Sequence, residues 1–141
     1  MGPTHLADTA YLIDTNIAIY FLDGVLPDHT LPFVLAVMDA GPRLSVATQI
    51  ELVGRFPNPE KRRLVEAFVS RSTLFPLTAV IVQQTIAIKQ THKIKLGDAI
   101  IAATALVHNL TLVTRNVSDF QAIAGLIVVN PFAPTGTPGH P

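Results

Sequence analysis

Five short apolar runs, most of them separated by stretches with helical periodicity, constrain this chain more than any other feature. Ala10 to Ile13, Leu44 to Val46, Leu74 to Leu77, Thr111 to Val113 and Leu126 to Val129 each have the length and content of a buried strand. Between them the pattern changes period. Thr15 or Asn16 is placed to cap a helix running through Leu22, with Asp23-Gly24 as the turn that ends it. Leu31 to Ala40 is helical in pattern and stops at Gly41-Pro42, and Thr48 is placed to cap a helix carrying Ile50, Glu51, Leu52 and Val53. Pro57 and Pro59 break the chain, and Pro59 suits a first helical turn. In Glu60 to Ser72 the residues Leu64, Val65, Phe68 and Val69 recur at helical spacing. Thr78 then caps Ala79 to Thr91, and Asp98 to His108 is apolar nearly all round, the mark of a central helix packed on more than one side. Asn109 makes the turn into the fourth strand. Such alternation predicts an α/β fold, a mainly parallel central sheet with helices on both faces in three layers.

Composition sets outer limits on chemistry. The chain has 141 residues, the size of one domain, and 49% are hydrophobic, enough for a core without cross-links. It has no cysteine, which removes thiol nucleophiles, disulfides and Cys-ligated metals, and fits a reducing compartment. Formal net charge is zero, so contact with a polyanion must come from a local basic patch. The longest apolar run, Ala99 to Val107, is interrupted by Thr104 and too short to span a bilayer. Asp8 precedes the first apolar run without a basic start or cleavage pattern, and Leu6 stands where a myristoylation motif after Gly2 needs Ser or Thr. The expectation is a cytoplasmic domain with no membrane partner. One domain over residues 1–132 is expected. The tail of residues 133–141 is expected to be disordered, and the last eleven residues hold four prolines and two glycines.

Four acidic residues stand where elements start or stop: Asp14 after the first strand, Glu51 after the second, Asp98 opening the apolar helix, and Asp119 beyond the fourth strand. Ligands of open α/β sheets gather beyond the carboxyl ends of the strands. Carboxylates brought within about 5 Å there would repel by roughly 3 kcal/mol per pair at an effective dielectric of about 20. A hard cation, Mg2+ or Mn2+, offsets that repulsion, polarises a phosphoryl oxygen and acidifies bound water. Each acid also has a plainer reading: Asp98 as an N-cap, Asp14 as a partner for turn amides, Glu51 as a solvated helix residue, Asp119 as part of a surface turn. Competing motifs are absent. The five histidines show no metal-binding spacing, and there is no P-loop, Gly-x-Gly-x-x-Gly or Gly-x-Ser-x-Gly. An aspartyl-phosphate phosphatase would want an aspartate two residues after Asp14, where Asn16 stands.

Three segments carry a resemblance: Tyr11-Leu12-Ile13-Asp14-Thr15-Asn16, Lys95-Leu96-Gly97-Asp98-Ala99-Ile100-Ile101-Ala102-Ala103, and Leu112-Val113-Thr114-Arg115-Asn116-Val117-Ser118-Asp119-Phe120. In order and content they resemble the PIN domain, and most of all the VapC-type toxins of bacterial toxin–antitoxin pairs, over Tyr11 to Phe132. The resemblance implies a metal-dependent endoribonuclease in which water attacks a phosphodiester, leaving a 5′-phosphate and a 3′-hydroxyl. It maps the acidic positions onto Asp14, Glu51, Asp98 and Asp119, and the polar ones onto Asn16, Thr114 and Asn116. The implied partners are RNA and a cognate antitoxin, with a homodimer as the assembly. Gly97 departs from the pattern, since relatives often carry proline there. Other readings stay open: a different Mg-dependent phosphoryl hydrolase, such as a DNA nuclease or phosphatase, or an inactive PIN-like RNA-binding module.

Two basic groups flank the acids, Lys89, His92, Lys93 and Lys95 before Asp98, and Arg55, Lys61, Arg62 and Arg63 after Glu51. They are candidates for phosphate contact, with Arg115 and Asn116 next, or they are solvated helix faces. The apolar stripes Leu31 to Met38 and Ala79 to Ile88 point to a two-fold dimer, unless both are internal core.

Overall fold

Every strand pairing in the computed structural model is parallel, and the consequence is a site at one end of the sheet. The structure describes residues 9–55 and 58–134. Strand β1 (Tyr11–Ile13) pairs with β4 (Thr111–Val113) in the register Leu12 to Leu112, and β4 pairs with β5 (Val128–Val129). A second ladder joins β2 (Arg43–Ser45) to β3 (Thr73–Phe75). It lies with β2 beside β1, so the strands run in the order β3-β2-β1-β4-β5. The chain leaves β1 toward β2 and leaves β4 toward β5. These neighbouring strands therefore send their connections in opposite directions and open a crevice at their carboxyl ends.

Seven α-helices complete the described residues: α1 (Thr15–Asp23), α2 (Leu31–Asp39), α3 (Val46–Gly54), α4 (Pro59–Ser70), α5 (Ala79–Thr91), α6 (Leu96–His108) and α7 (Val117–Phe120), with a 3-10 turn at Asp28–Thr30. Because side chains alternate along a strand, Leu12 and Leu112 point into one core with the α6 residues Ala99, Ile101, Ala102 and Ala103 and the α5 residues Ile81 and Ile88. Ile13 and Val113 point into the other, against Ile17, Val34, Val37, Val65 and Phe68. This is the three-layer arrangement that the alternation of elements predicts. The alanines of α6 explain its position: their small side chains let a helix buried on most sides pack closely on its neighbours.

Local capping differs from expectation at three places. Asp14, not Thr15 or Asn16, caps α1, its carboxylate accepting the Thr15 N–H at 2.9 Å. Ser45, not Thr48, caps α3, so the helix starts at Val46 and the second strand ends one residue sooner. Lys95 is the N-cap of α6, which puts Asp98 in its first turn rather than at the cap. At β1 and β2 the turn into the helix is tighter than the apolar runs suggest, and a polar residue at the strand end, Asp14 or Ser45, takes the cap, whereas α6 follows α5 directly and starts without a side-chain cap. The fifth strand is shorter than the run from Leu126, and the four-residue α7 between β4 and β5 has too few residues to show a period in sequence. Expected features that hold include Pro59 at the first position of α4, Thr78 capping α5, Gly24 with φ 70° ending α1 and Asn109 with φ 59° ending α6. Pro57 and the tail residues beyond 134 lie outside the described residues.

The two apolar stripes are only partly core. Val34, Val37, Met38, Ile81 and Ile88 are buried; on α4, of the four apolar residues at helical spacing, Val65, Phe68 and Val69 are buried and Leu64 is exposed. Leu35, Val80 and Ile86 remain on the surface. No single helix among the described residues is long and apolar enough to cross a membrane.

The capping assignment is testable. Ser45→Ala removes the acceptor for the N–H groups of Ala47 and Thr48 and is expected to lower stability by about 1 kcal/mol in denaturant unfolding. An unchanged midpoint would return the cap to another residue.

Candidate active site

Asp14 is the first residue beyond β1, and the fold gives its carboxylate little water. It is 5% exposed, with Oδ1 accepting the Thr15 N–H and Oδ2 accepting the Thr114 hydroxyl at 2.7 Å. Thr114 occupies the matching position past β4, fully buried, so the β1–β4 register sets the pair. Burial is the main cause that pushes the Asp14 pKa up from 3.8 to about 6. The bonds from Thr114 and Thr15 oppose the shift, and the charges of Asp98 and Glu51 add to it.

The neighbouring strand contributes through α3. Thr48 and Glu51 lie one helical turn apart on the face that meets α1. The Thr15 hydroxyl donates to Glu51 Oε1 at 2.6 Å and lies 3.0 Å from the Thr48 hydroxyl. In sequence both threonines read as helix caps and not as part of the site; their positions beside Asp14 and three before Glu51 are the signal that could have found them. Gly97 has a role that its departure from the usual proline leaves open in sequence. A Cβ there would stand 3.0 Å from Glu51 Oε2, so a side chain at 97 would press on the carboxylate.

Asp98 is half-buried in the first turn of α6 and its pKa is raised, first by burial, then by the charges of Glu51 and Asp119, with Lys95 acting against them. Asp119 sits on α7 and accepts a hydrogen bond from the Asn116 side-chain amide. The Asn116 N–H in turn donates to the Thr114 hydroxyl at 2.9 Å. One hydroxyl, that of Thr114, thus joins the Asp14 side of the site to the Asn116–Asp119 side.

All four carboxylates line one cleft of about 610 Å³, with Thr15, Asn16, Ile19, Ile50, Asn116, Lys95 and Arg55. Thr114 supports its floor from beneath. Of the two basic groups, only Lys95 and Arg55 reach this wall. Lys61 pairs with Asp23, Arg62 pairs with Glu66, the Lys89 ammonium donates to the Ile94 carbonyl, and His92 lies against the Ala122 carbonyl. Arg63 lines a separate depression on α4.

The donor set is all oxygen, the chemistry of a hard divalent cation. Among the described residues no three acidic or histidine side chains form a closed ligating group. Magnesium keeps several waters and takes one or two carboxylates directly, so an open wall of carboxylates fits a hydrated ion better than a full protein cage would. The raised pKa values of Asp14 and Asp98 are the electrostatic counterpart: burial first, and the neighbouring acids second, disfavour their charged forms, which a cation would stabilise.

A parallel α/β domain with an acidic cleft at the switch point of its sheet is therefore the class that fold and site define. The PIN domain family model matches residues 11–126. Ribonuclease VapC10 of Mycobacterium tuberculosis is 34% identical over 137 residues, covering 92% of this chain and 96% of the relative. Among solved structures, a toxin-antitoxin complex from Klebsiella pneumoniae contains a chain 29% identical with a TM-score of 0.71, covering 89% of this chain and all of that one. VapBC-1 from nontypeable Haemophilus influenzae gives 26% identity and a TM-score of 0.71, with 89% and 100% covered. This chain belongs to the PIN-domain family, on its VapC-like branch.

Burial of Asp14 sets a pH dependence for the metal-free protein. Its folded pKa is about 6 and its ordinary value 3.8, so the folded state holds the proton more tightly than the unfolded chain. Stability from this group is complete below the unfolded value and is lost as pH rises through about 6, a change of about 3 kcal/mol. Asp98 acts in the same direction. Thermal unfolding in chelator should give a higher midpoint at pH 5 than at pH 7.5, and Asp14→Asn should flatten the dependence. A midpoint rising with pH in this range would contradict the assignment.

Proposed function

We propose that this chain is a metal-dependent endoribonuclease toxin, and the observation that carries the reading is the convergence of Asp14, Glu51, Asp98 and Asp119 on one cleft with Lys95 and Arg55 in its wall. The four carboxylates would hold Mg2+ or Mn2+, and the bound ion would neutralise charge on the scissile phosphate and make water a better nucleophile. The rest falls to the chain's own groups. Lys95 and Arg55 draw the phosphodiester to a cleft that would otherwise repel it. Thr114 and the Thr15 N–H fix Asp14, the Thr15 hydroxyl fixes Glu51, and Asn116 fixes Asp119, so the carboxylates are oriented before the substrate arrives. Asn16, exposed at the mouth of the cleft, offers an amide to the strand. Water attacks phosphorus and the 3′ oxygen leaves, giving a 5′-phosphate and a 3′-hydroxyl.

Similar chains from Klebsiella pneumoniae and Haemophilus influenzae occur in a toxin-antitoxin complex and in VapBC-1, and the same arrangement is inferred here: a cytoplasmic toxin neutralised by a cognate antitoxin. Self-association as a two-fold dimer is part of the reading, supported by Leu35, Val80 and Ile86 on the surface. Light scattering at tens of micromolar should give a dimer mass, and a monomer mass would remove that part.

Labelled RNA and DNA oligonucleotides separate the alternatives. RNA should be cleaved in Mg2+ or Mn2+, cleavage should stop in excess chelator, and DNA should persist. Asp14→Asn and Asp98→Asn should each reduce the rate by about a hundredfold or more while keeping a folded thermal transition. Undiminished cleavage in chelator would overturn the mechanism, and cleavage of DNA alone would favour the other hydrolase reading. Induced expression in a bacterium should arrest growth, and Asp14→Asn should abolish the arrest.

A further inference from the structure

Beside the acidic cleft lies a smaller depression of about 310 Å³ lined by Asn16, Tyr20, Arg115 and Asn116, with no carboxylate in its wall. Asn16 and Asn116 also line the cleft, so the two spaces adjoin across these amides. Arg115 is fixed here in an uncommon way. Its guanidinium carbon lies 4.5 Å from the centre of the Phe132 ring and 5.9 Å from that of Tyr20. The two rings meet edge to face at 5.8 Å. Phe132 is itself tied down, its N–H donating to Asn130 Oδ1 at 2.9 Å and its carbonyl lying 3.3 Å from His29 Nε2.

Stacking orders a guanidinium without consuming its N–H donors. Among the described residues Arg115 makes no ion pair, unlike Lys61 and Arg62. A planar fork whose donors meet no acceptor among the described residues, with no acid in the same wall, suits a pair of anionic oxygens such as those of a phosphate. A stacked base is the poorer fit, because the guanidinium already covers the Phe132 ring and Tyr20 is engaged with Phe132. A strand whose scissile phosphate enters the acidic cleft must run its next linkages over the cleft rim, and Asn16 and Asn116, shared by both spaces, mark that rim.

We propose that Arg115, seated on Phe132 and Tyr20 and flanked by Asn16 and Asn116, forms a subsite for a non-scissile backbone phosphate of the substrate strand, setting the register in which the neighbouring bond reaches the carboxylates. The proposal rests on the ribonuclease reading above.

The test uses full-length protein, manganese and a single-stranded RNA oligonucleotide that the wild type cleaves. Replacing one linkage at a time by an uncharged methylphosphonate should reveal one non-scissile position that raises KM about tenfold in the wild type, the scale of one charge-assisted contact. In Arg115→Ala the KM should already be raised about tenfold, with kcat within about twofold, and the same linkage replacement should have no further effect. The slope of log(kcat/KM) against log salt should fall in magnitude by about 0.7, one phosphate contact on a single strand. Arg115→Lys should retain the slope but lose part of the affinity, since it keeps the charge without the fork. If the wild type cleaves RNA but shows no such linkage, or if Arg115→Ala keeps the wild-type KM and slope, the subsite is overturned and the ribonuclease reading stands. Absence of any RNA cleavage by the wild type overturns both. The linkage scan is read on the wild-type protein, so it decides the matter even if Arg115→Ala does not fold.

Discussion

The buried carboxylate of Asp14 is the constraint on which the rest of this structure depends. A carboxylate taken from water at the end of a central strand is costly unless it is hydrogen-bonded or protonated, and the fold supplies two donors, the Thr15 N–H and the Thr114 hydroxyl. Each donor is placed by an element with a second duty. Thr15 starts α1 and its hydroxyl reaches Glu51 on α3, while Thr114 ends β4 and receives the Asn116 N–H that leads to Asp119. The residues that soften the burial of Asp14 therefore also tie in Glu51 and Asp119, while Asp98 is placed by α6. Two hydroxyls and a parallel strand register turn residues one hundred positions apart into one network.

The bonds do not remove the electrostatic cost. Burial and the mutual repulsion of the acids still raise the Asp14 and Asp98 pKa values. The surrounding core is what tolerates this. Leu12, Ile13, Leu112 and Val113 are all buried beneath the site, packed on both faces of the sheet. Strand β1 for Asp14 and helices α3, α6 and α7 for Glu51, Asp98 and Asp119 keep the repelling groups oriented, where a loop scaffold would let them move apart. Gly97 adds a local condition, since only a residue without Cβ leaves Glu51 Oε2 its present place without a shift.

Much of the layer arrangement and the acidic set is legible in the sequence because both follow from local rules. Apolar runs alternating with helical periodicity specify a parallel sheet, and polar residues that follow strands mark its carboxyl edge. What the sequence conceals is competition at short range. Ser45 takes the cap that Thr48 could have served, which frees Thr48 to meet Thr15, and α7 is too short to carry a period. Charge partners are equally hidden: nothing in the run Arg55 to Arg63 says that Lys61 turns to Asp23 while Arg55 lines the cleft. The docking of Phe132 under Arg115 is a contact between distant segments, and a Pro-Phe pair in a proline-rich tail indicates it only weakly.

The central claim is that these carboxylates are held in excess of what the protein alone can neutralise, and that a divalent cation relieves them. Calorimetric titration of manganese into the protein at pH 6, in buffers of different ionisation enthalpy, tests it most directly. With Asp14 near half-protonated at its pKa of about 6, saturable binding should release about half a proton or more at that pH, and the release should fade by pH 8. Loss of binding in Asp14→Asn should accompany it. No saturable binding, or binding of equal affinity in Asp14→Asn with no proton release, would contradict the account.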